Sequence, residues 1–392
     1  MKILISGGGV AGMTLAYWLH RYGHQPVVVE RSPHGRLGGY GFDFHGTGFD
    51  IAQRMGVVDD LTPFQLPVEA VVYLNDTGKV TARLTTELLR KIIRGPYMGL
   101  MHSGLEEVLI DAISGNVEIR YQQSIAAVCQ DLDHVQVSFA DGTREGFDLL
   151  VGADGIHSRT RELVFGPQDT FARYLGYYMA SYPLTDRYGL GPVRAHYTEP
   201  GRQVVVYPTN QPGELIALYL FKAPDQGAIP RTERRDRLRA AFAGMGWITG
   251  RLLADAPDSE AIFMDTMTQI EMPRWHHGRV GLIGDACGSM TLLSGQGVAM
   301  AMAGGYLLAE ALNDNVDHQA AFRHYQQRMH HEVSNRQRNA RTFARLLAPD
   351  TRLGVAASNL LTTLLLRERF IALLRRRFTS GSLLAPAQPT RT

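Results

Sequence analysis

The chain has 392 residues, 45% hydrophobic and 20% charged, an ordinary globular composition with room for two or three domains. A net charge of +2 argues against a nucleic-acid partner, and the two cysteines, Cys129 and Cys287, exclude a disulfide framework and any zinc site built from cysteines alone. No uninterrupted apolar run reaches the roughly 20 residues that cross a bilayer.

The chain opens directly on a strand pattern, without a charged n-region, apolar stretch and cleavage site, so the expected location is cytoplasmic. Lys2–Ser6 reads as a buried parallel strand. Gly7, Gly9 and Gly12 then fit G-x-G-x-x-G: a tight turn, a bare backbone for a pyrophosphate, and close packing of the next helix. Met13–Tyr22 is predicted as that helix, and Gly23 as its stop. Val10 and Ala11 stand at the helix N-terminus, where free N–H groups favour a phosphate. Pro26–Glu30 is the second strand, and Glu30 sits where an acid bonds a ribose hydroxyl. This unit alone leaves NAD and FAD open.

Two further glycine elements follow. The first is Val151-Gly152-Ala153-Asp154-Gly155-Ile156-His157-Ser158. The second is Arg279–Ala286, with Gly284-Asp285, followed by Gly295-Gln296-Gly297-Val298 and an apolar helix over Val298–Leu312. Three spaced elements in this order point to a flavin enzyme. Residues 67–97 and 172–272 differ in character. Val193–Tyr197, Gln203–Pro208, Glu214–Phe221 and Ala261–Met267 are β-prone and predict an antiparallel sheet. Tyr178, Met179, Tyr207, Tyr219, Phe221, Met264 and Met267 are expected mainly in its core.

Residues 316–346 read as a polar helix. His324, His330 and His331 have only Glu332 near them, so a solvated face and no metal site is expected. Leu360–Phe378 is amphipathic and basic. Packing across the back of the molecule or against a second subunit is the first expectation, and a membrane surface or acidic partner the second. Ser380–Thr392 is expected to fray.

On these motifs the sequence resembles the group A FAD-dependent aromatic monooxygenases related to para-hydroxybenzoate hydroxylase, over most of residues 1–345. The resemblance implies an α/β fold: a Rossmann-like FAD-binding domain (1–66, 98–171 and 273–345), an antiparallel-sheet substrate domain (67–97 and 172–272) and a C-terminal helical tail (346–392). It implies that Asp154 and Arg161 hold the middle loop, that Asp285 of Gly284-Asp285 accepts from a ribityl hydroxyl, and that the helix opened by Gly295 and Gly297 faces the flavin pyrimidine. Glu30, Arg31, Arg36 and Gly41 fall where the family places ribose, pyrophosphate and loop contacts. His102 holds a position at which the family has arginine. The family's proline after Gly-Asp is replaced by Ser289-Met290-Thr291-Leu292-Leu293. Cys287 is expected as a small buried thiol.

The implied chemistry is reduction of FAD by NADH or NADPH, reaction with dioxygen to a flavin C4a-hydroperoxide, and hydroxylation of an aromatic or polyketide-like small molecule. A homodimer is compatible with this reading. No catalytic base is assigned. A flavin halogenase is excluded because Trp18, Trp247 and Trp275 cannot form its Trp-x-Trp-x-Ile-Pro motif. A flavin reductase or dehydrogenase of an unsaturated lipid, and a non-catalytic flavin-binding protein, stay open at this point.

Overall fold

The computed structural model describes residues 1–33, 39–93, 95–291, 295–365 and 382–384. Arg36, residues 366–378 and most of 380–392 lie outside the described residues.

Ile3, Leu4 and Ile5 are fully buried because their strand, β1 (Lys2–Ser6), is covered on both faces. It lies inside a six-stranded sheet with the order β17 (His276–His277), β18 (Val280–Leu282), β11 (Leu149–Gly152), β1, β2 (Gln25–Glu30) and β7 (Glu118–Tyr121). Every pairing is parallel except β17 with β18. The register aligns Ser6 with Gly152 and Gly152 with Leu282. Three strands distant in sequence therefore end side by side, and the loops after them open at one edge of the sheet.

The helix after β1 runs Val10–Arg21 and packs against the long helix Gly297–Asp314. Their backbones approach so closely at Gly305 that a Cβ there would stand 2.8 Å from the Ala11 carbonyl oxygen. A three-stranded antiparallel sheet, β8 (Ile125–Gln130), β9 (Val135–Phe139) and β10 (Arg144–Phe147), buries Val135, Val137 and Phe139 in one core with Leu4, Val27 and Leu150. The ribbon β3 (Gly41–His45) and β6 (Tyr97–Met101) is antiparallel.

The second sheet has seven strands, in the order β16 (Phe263–Ile270), β12 (Ala172–Thr185), β15 (Glu214–Lys222), β14 (Arg202–Pro208), β13 (Val193–Glu199), β4 (Ala70–Leu74) and β5 (Val80–Thr85). It is antiparallel as expected, apart from one parallel pairing of β13 with β4. No hairpin joins these two strands, so nothing local forces them to run in opposite directions. Tyr178, Tyr219, Phe221 and Met264 pack on its outer face with Leu238, Phe242 and Leu252. Its inner face turns Met179, Leu220 and Met267 toward Tyr40, and Val205, Tyr207 and Ile216 toward Leu66 and Met101.

Two helices end the described chain, His318–Leu347 and Arg352–Leu365. The first begins two residues later than the sequence indicated, where Asp317 accepts from the N–H groups of Gln319 and Ala320. The second begins at Arg352, before the expected Leu360. No helix among the described residues is long and apolar enough to cross a membrane.

Candidate active site

The aligned ends of β1, β11 and β18 open onto one cleft of about 1630 Å³, its mouth included. Gly7, Gly9, Val10 and Ala11 line it from the first loop, with Glu30 and Arg31 beside them. Asp154 enters from the middle loop, and Asp285, Gly295, Gly297 and Val298 from the third. His102 lines it as well. Gly12, Gly41, Arg161 and Gly284 do not line this cleft.

In the first loop, the Gly8 N–H donates to Glu30 Oε2 at 2.8 Å and the Ser32 N–H to Oε1 at 2.9 Å. The carboxylate is thus held by the backbone beside the cleft. The helix Val10–Arg21 has no side-chain cap at Gly9. A Cβ on Gly9 would have only Glu106 Oε1 near it, at 3.7 Å, so the bare backbone stands open to an approaching group. Gly12 works from behind: a Cβ there would sit 2.0 Å from the Gly7 carbonyl oxygen.

The middle loop is a hydrogen-bonded unit. Asp154 accepts from the Thr160 N–H and hydroxyl at 2.9 Å each, and from the Ser158 hydroxyl. Arg161 is fully buried, and its guanidinium donates to the carbonyls of Ala286 (2.9 Å) and Ile156 (2.8 Å) and to Gln168 Oε1 (3.1 Å). Burial lowers its pKa, but an arginine stays charged. Its reach ties the middle loop to the third.

Gly284 has φ +60°, a conformation that favours glycine, and turns the chain from β18 into the short helix Asp285–Gly288. This leaves Asp285 exposed at the cleft wall. The helix Gly297–Asp314 starts beside it without a side-chain cap. A Cβ on Gly297 would meet nothing within 4 Å. Two uncapped helix N-termini therefore face one space. Cys287 is buried, its thiol pKa pushed far up by burial, so it is an inert thiol.

Several lining residues were given no role by the sequence. Glu106, one helical turn after His102, is buried and lies 3.5 Å from His102 Nδ1. The i,i+4 spacing was its only sequence signal. His157 Nε2 lies 3.5 Å from Asp265 Oδ2 on β16, and that contact raises the histidine's pKa. The opposite wall comes from the seven-stranded sheet, with Met179, Met267 and Thr268, and from Tyr40 and Phe42.

The FAD binding domain family matches residues 1–340. A flavin-dependent monooxygenase from Legionella longbeachae serogroup 1 (strain NSW150) is 32% identical over 328 residues, covering 83% of this chain and 84% of the relative. The chain belongs to the FAD-dependent monooxygenase family. Among solved structures this monooxygenase is similar to the tetracycline destructase Tet(55), at 26% identity and TM-score 0.84, covering 98% of each chain. It shares its fold with Klebsiella pneumoniae HpxO complexed with FAD and uric acid, at 24% identity and TM-score 0.83, covering 98% of each chain.

Proposed function

We propose that this monooxygenase consumes NADH or NADPH and hydroxylates an aromatic or polyketide-like small molecule with dioxygen. The observation that carries this reading is the single cleft between the three glycine loops and the inner face of the seven-stranded sheet. One wall is polar backbone and carboxylate, and the other is Met179, Met267, Tyr40 and Phe42. That pairing suits a phosphate-bearing cofactor on one side and a flat apolar substrate on the other.

The residues fit FAD. Gly9 and the uncapped helix N-terminus at Val10 suit a pyrophosphate. Glu30 suits a ribose hydroxyl, and Asp285 a ribityl hydroxyl. The uncapped start of Gly297–Asp314 offers N–H groups and a positive dipole end where a reduced ring carries negative charge. When bound, the flavin supplies hydride acceptance from the nicotinamide and activation of dioxygen for transfer of one oxygen atom. The protein's part is to position and to exclude water. Phe42, Met179 and Met267 do the second, being nearly buried where they line the cleft. Tet(55) and Tet(51), at 26% and 27% identity, are tetracycline destructases, and a fused polycyclic ring system is the substrate type this reading favours.

The test is an absorbance spectrum of the purified protein, followed by anaerobic NADPH or NADH and then air, with and without a polycyclic phenol. Bound flavin that bleaches and recovers, with oxygen appearing in the phenol, is the expected result. A protein that cannot be loaded with FAD ends the reading. Loaded flavin that neither nucleotide reduces, with or without the phenol, ends the nicotinamide part of it.

A further inference from the structure

The helix Arg352–Leu365 leaves Leu353 84%, Leu360 62% and Leu361 52% exposed, with Ala356 and Ala357 exposed between them. These positions follow i, i+3, i+4, i+7, i+8, so they form one apolar stripe facing solvent. The helix is tied to the edge strand β5 by a hydrogen bond from the Thr363 hydroxyl to the Thr81 carbonyl at 3.3 Å. Beside Thr81, Val80 is 47% exposed. Eight large hydrophobic side chains are exposed among the described residues, and Val80, Leu353, Leu360 and Leu361 place four of them on this one edge. Scattered singly they would need no explanation; gathered, they mark a surface that something covers.

The charge on this edge is mainly positive, with Asp76, Glu87 and Asp350 as its exposed acids. Lys79, Arg83, Arg90, Lys91 and Arg352 are all exposed. β5, the helix Thr86–Ile93 and the helix Arg352–Leu365 together carry a single acid, Glu87, which pairs with Lys91 at 2.6 Å. The chain has only four lysines, and two of them are here.

We infer that this edge docks on an anionic lipid surface, the leucine stripe entering the headgroup region and the lysines and arginines meeting lipid phosphates. An apolar stripe beside exposed cations is the composition of an interfacial helix. A second copy is the less suitable occupant, because a two-fold interface sets this cationic edge against itself. The helix lies on the surface and does not span, in keeping with its length and with the absence of any described spanning helix.

The experiment uses the full chain loaded with FAD, sedimented with vesicles of phosphatidylcholine alone or of phosphatidylcholine with phosphatidylglycerol. The expected result is binding to the anionic vesicles only, weakened by added salt, and weakened on the order of tenfold by Leu360→Glu. Leu132→Glu, at a site 90% exposed elsewhere on the surface, leaves it unchanged. Retained flavin absorbance shows that each variant is folded. Equal pelleting with both vesicles, no pelleting, or a Leu360→Glu protein that binds like wild type overturns the inference. So does a dimer in light scattering that Leu360→Glu dissolves while vesicles capture nothing. Should that variant fail to fold, the lipid and salt dependence of the wild type decides alone.

Discussion

Arg161 Nη1 donates to the Ala286 carbonyl at 2.9 Å, joining two loops 125 residues apart in sequence. The same guanidinium holds Ile156 and Gln168 and is shut off from solvent. Arg161→Met keeps the bulk but takes the donor from two backbone carbonyls, those of Ala286 and Ile156, while Gln168 Oε1 keeps His157 Nδ1 within 3.2 Å. The expected cost is about 3 kcal/mol. A lysine does not restore the geometry, because one ammonium cannot repeat the planar fork. Thermal unfolding checks this: Arg161→Lys at wild-type stability would refute the clamp.

Gly12 and Gly297 separate packing from binding. At Gly12 an added methyl meets the Gly7 carbonyl oxygen at 2.0 Å, and backbone cannot move aside cheaply. Gly12→Ala is therefore expected to lose both stability and flavin. At Gly297 the same methyl meets no protein atom within 4 Å, so Gly297→Ala is expected to fold normally and hold FAD more weakly. The ratio of flavin to protein absorbance, read against the melting temperature, distinguishes the two.

Asp285→Ala follows the same logic for a side chain. The residue is exposed at the cleft wall, so the fold is expected to survive its loss. Removing a charge-assisted acceptor for a ribityl hydroxyl is expected to weaken FAD binding by about 1.5–3 kcal/mol, or roughly tenfold to a hundredfold. Titration of apoprotein with FAD gives the number, and an unchanged affinity would remove Asp285 from the site.

What the sequence made legible was local. The glycine turn, the helix after it and the strand ending at Glu30 are short-range patterns, and each reads from its neighbours. The grouping of the three glycine elements was legible only through the family resemblance; that β11 and β18 run parallel to β1 and end beside it is seen in the structure. What stayed illegible depends on register. Which β12 and β16 side chains face the cleft hinges on a bulge between Tyr174 and Tyr178, and a slip of one residue exchanges Tyr178 for Met179. His157–Asp265 and Asp43–Arg194 likewise join residues with no shared periodicity, so no window of sequence could pair them.

The His157–Asp265 contact joins the middle loop to the seven-stranded sheet and is pH-dependent. Hydrogen bonding to Asp265 raises the His157 pKa against the opposing effect of burial. A raised histidine pKa stabilises the fold fully below the unfolded value of about 6.5, and the gain fades as pH climbs through the folded value. Wild type is therefore expected to lose its stability advantage over Asp265→Asn as pH rises above about 6.5. Melting temperatures of both proteins across that range test it; parallel curves would show that the contact carries no stability.

The ribbon that carries Phe42 is pinned to the sheet by its neighbours in sequence. Tyr207 accepts from the Gly41 N–H at 2.7 Å, and Arg194 Nη1 lies 3.2 Å from Asp43 Oδ1, which also accepts from the Tyr97 hydroxyl at 2.8 Å. Burial would raise the Asp43 pKa, but Arg194 and Tyr97 together hold it below the usual range. Burial and the same arginine push His196 down to about 3, so that ring stays neutral beside the pair. The Arg194 side chain is 13% exposed and that of Asp43 35%, so solvent screens the carboxylate in part. Arg194→Met is then expected to cost about 2 kcal/mol at neutral pH, below the figure for a fully buried pair. A depressed carboxylate pKa stabilises above the unfolded value of about 3.9, and the gain is lost as pH falls through the folded one, so the cost should shrink in acid. Asp43→Asn with Arg194→Met should cost less than the two changes added separately. Denaturant unfolding of the four proteins at neutral and acid pH measures the coupling, and simple additivity at neutral pH would mean that the pair does not hold the ribbon in place.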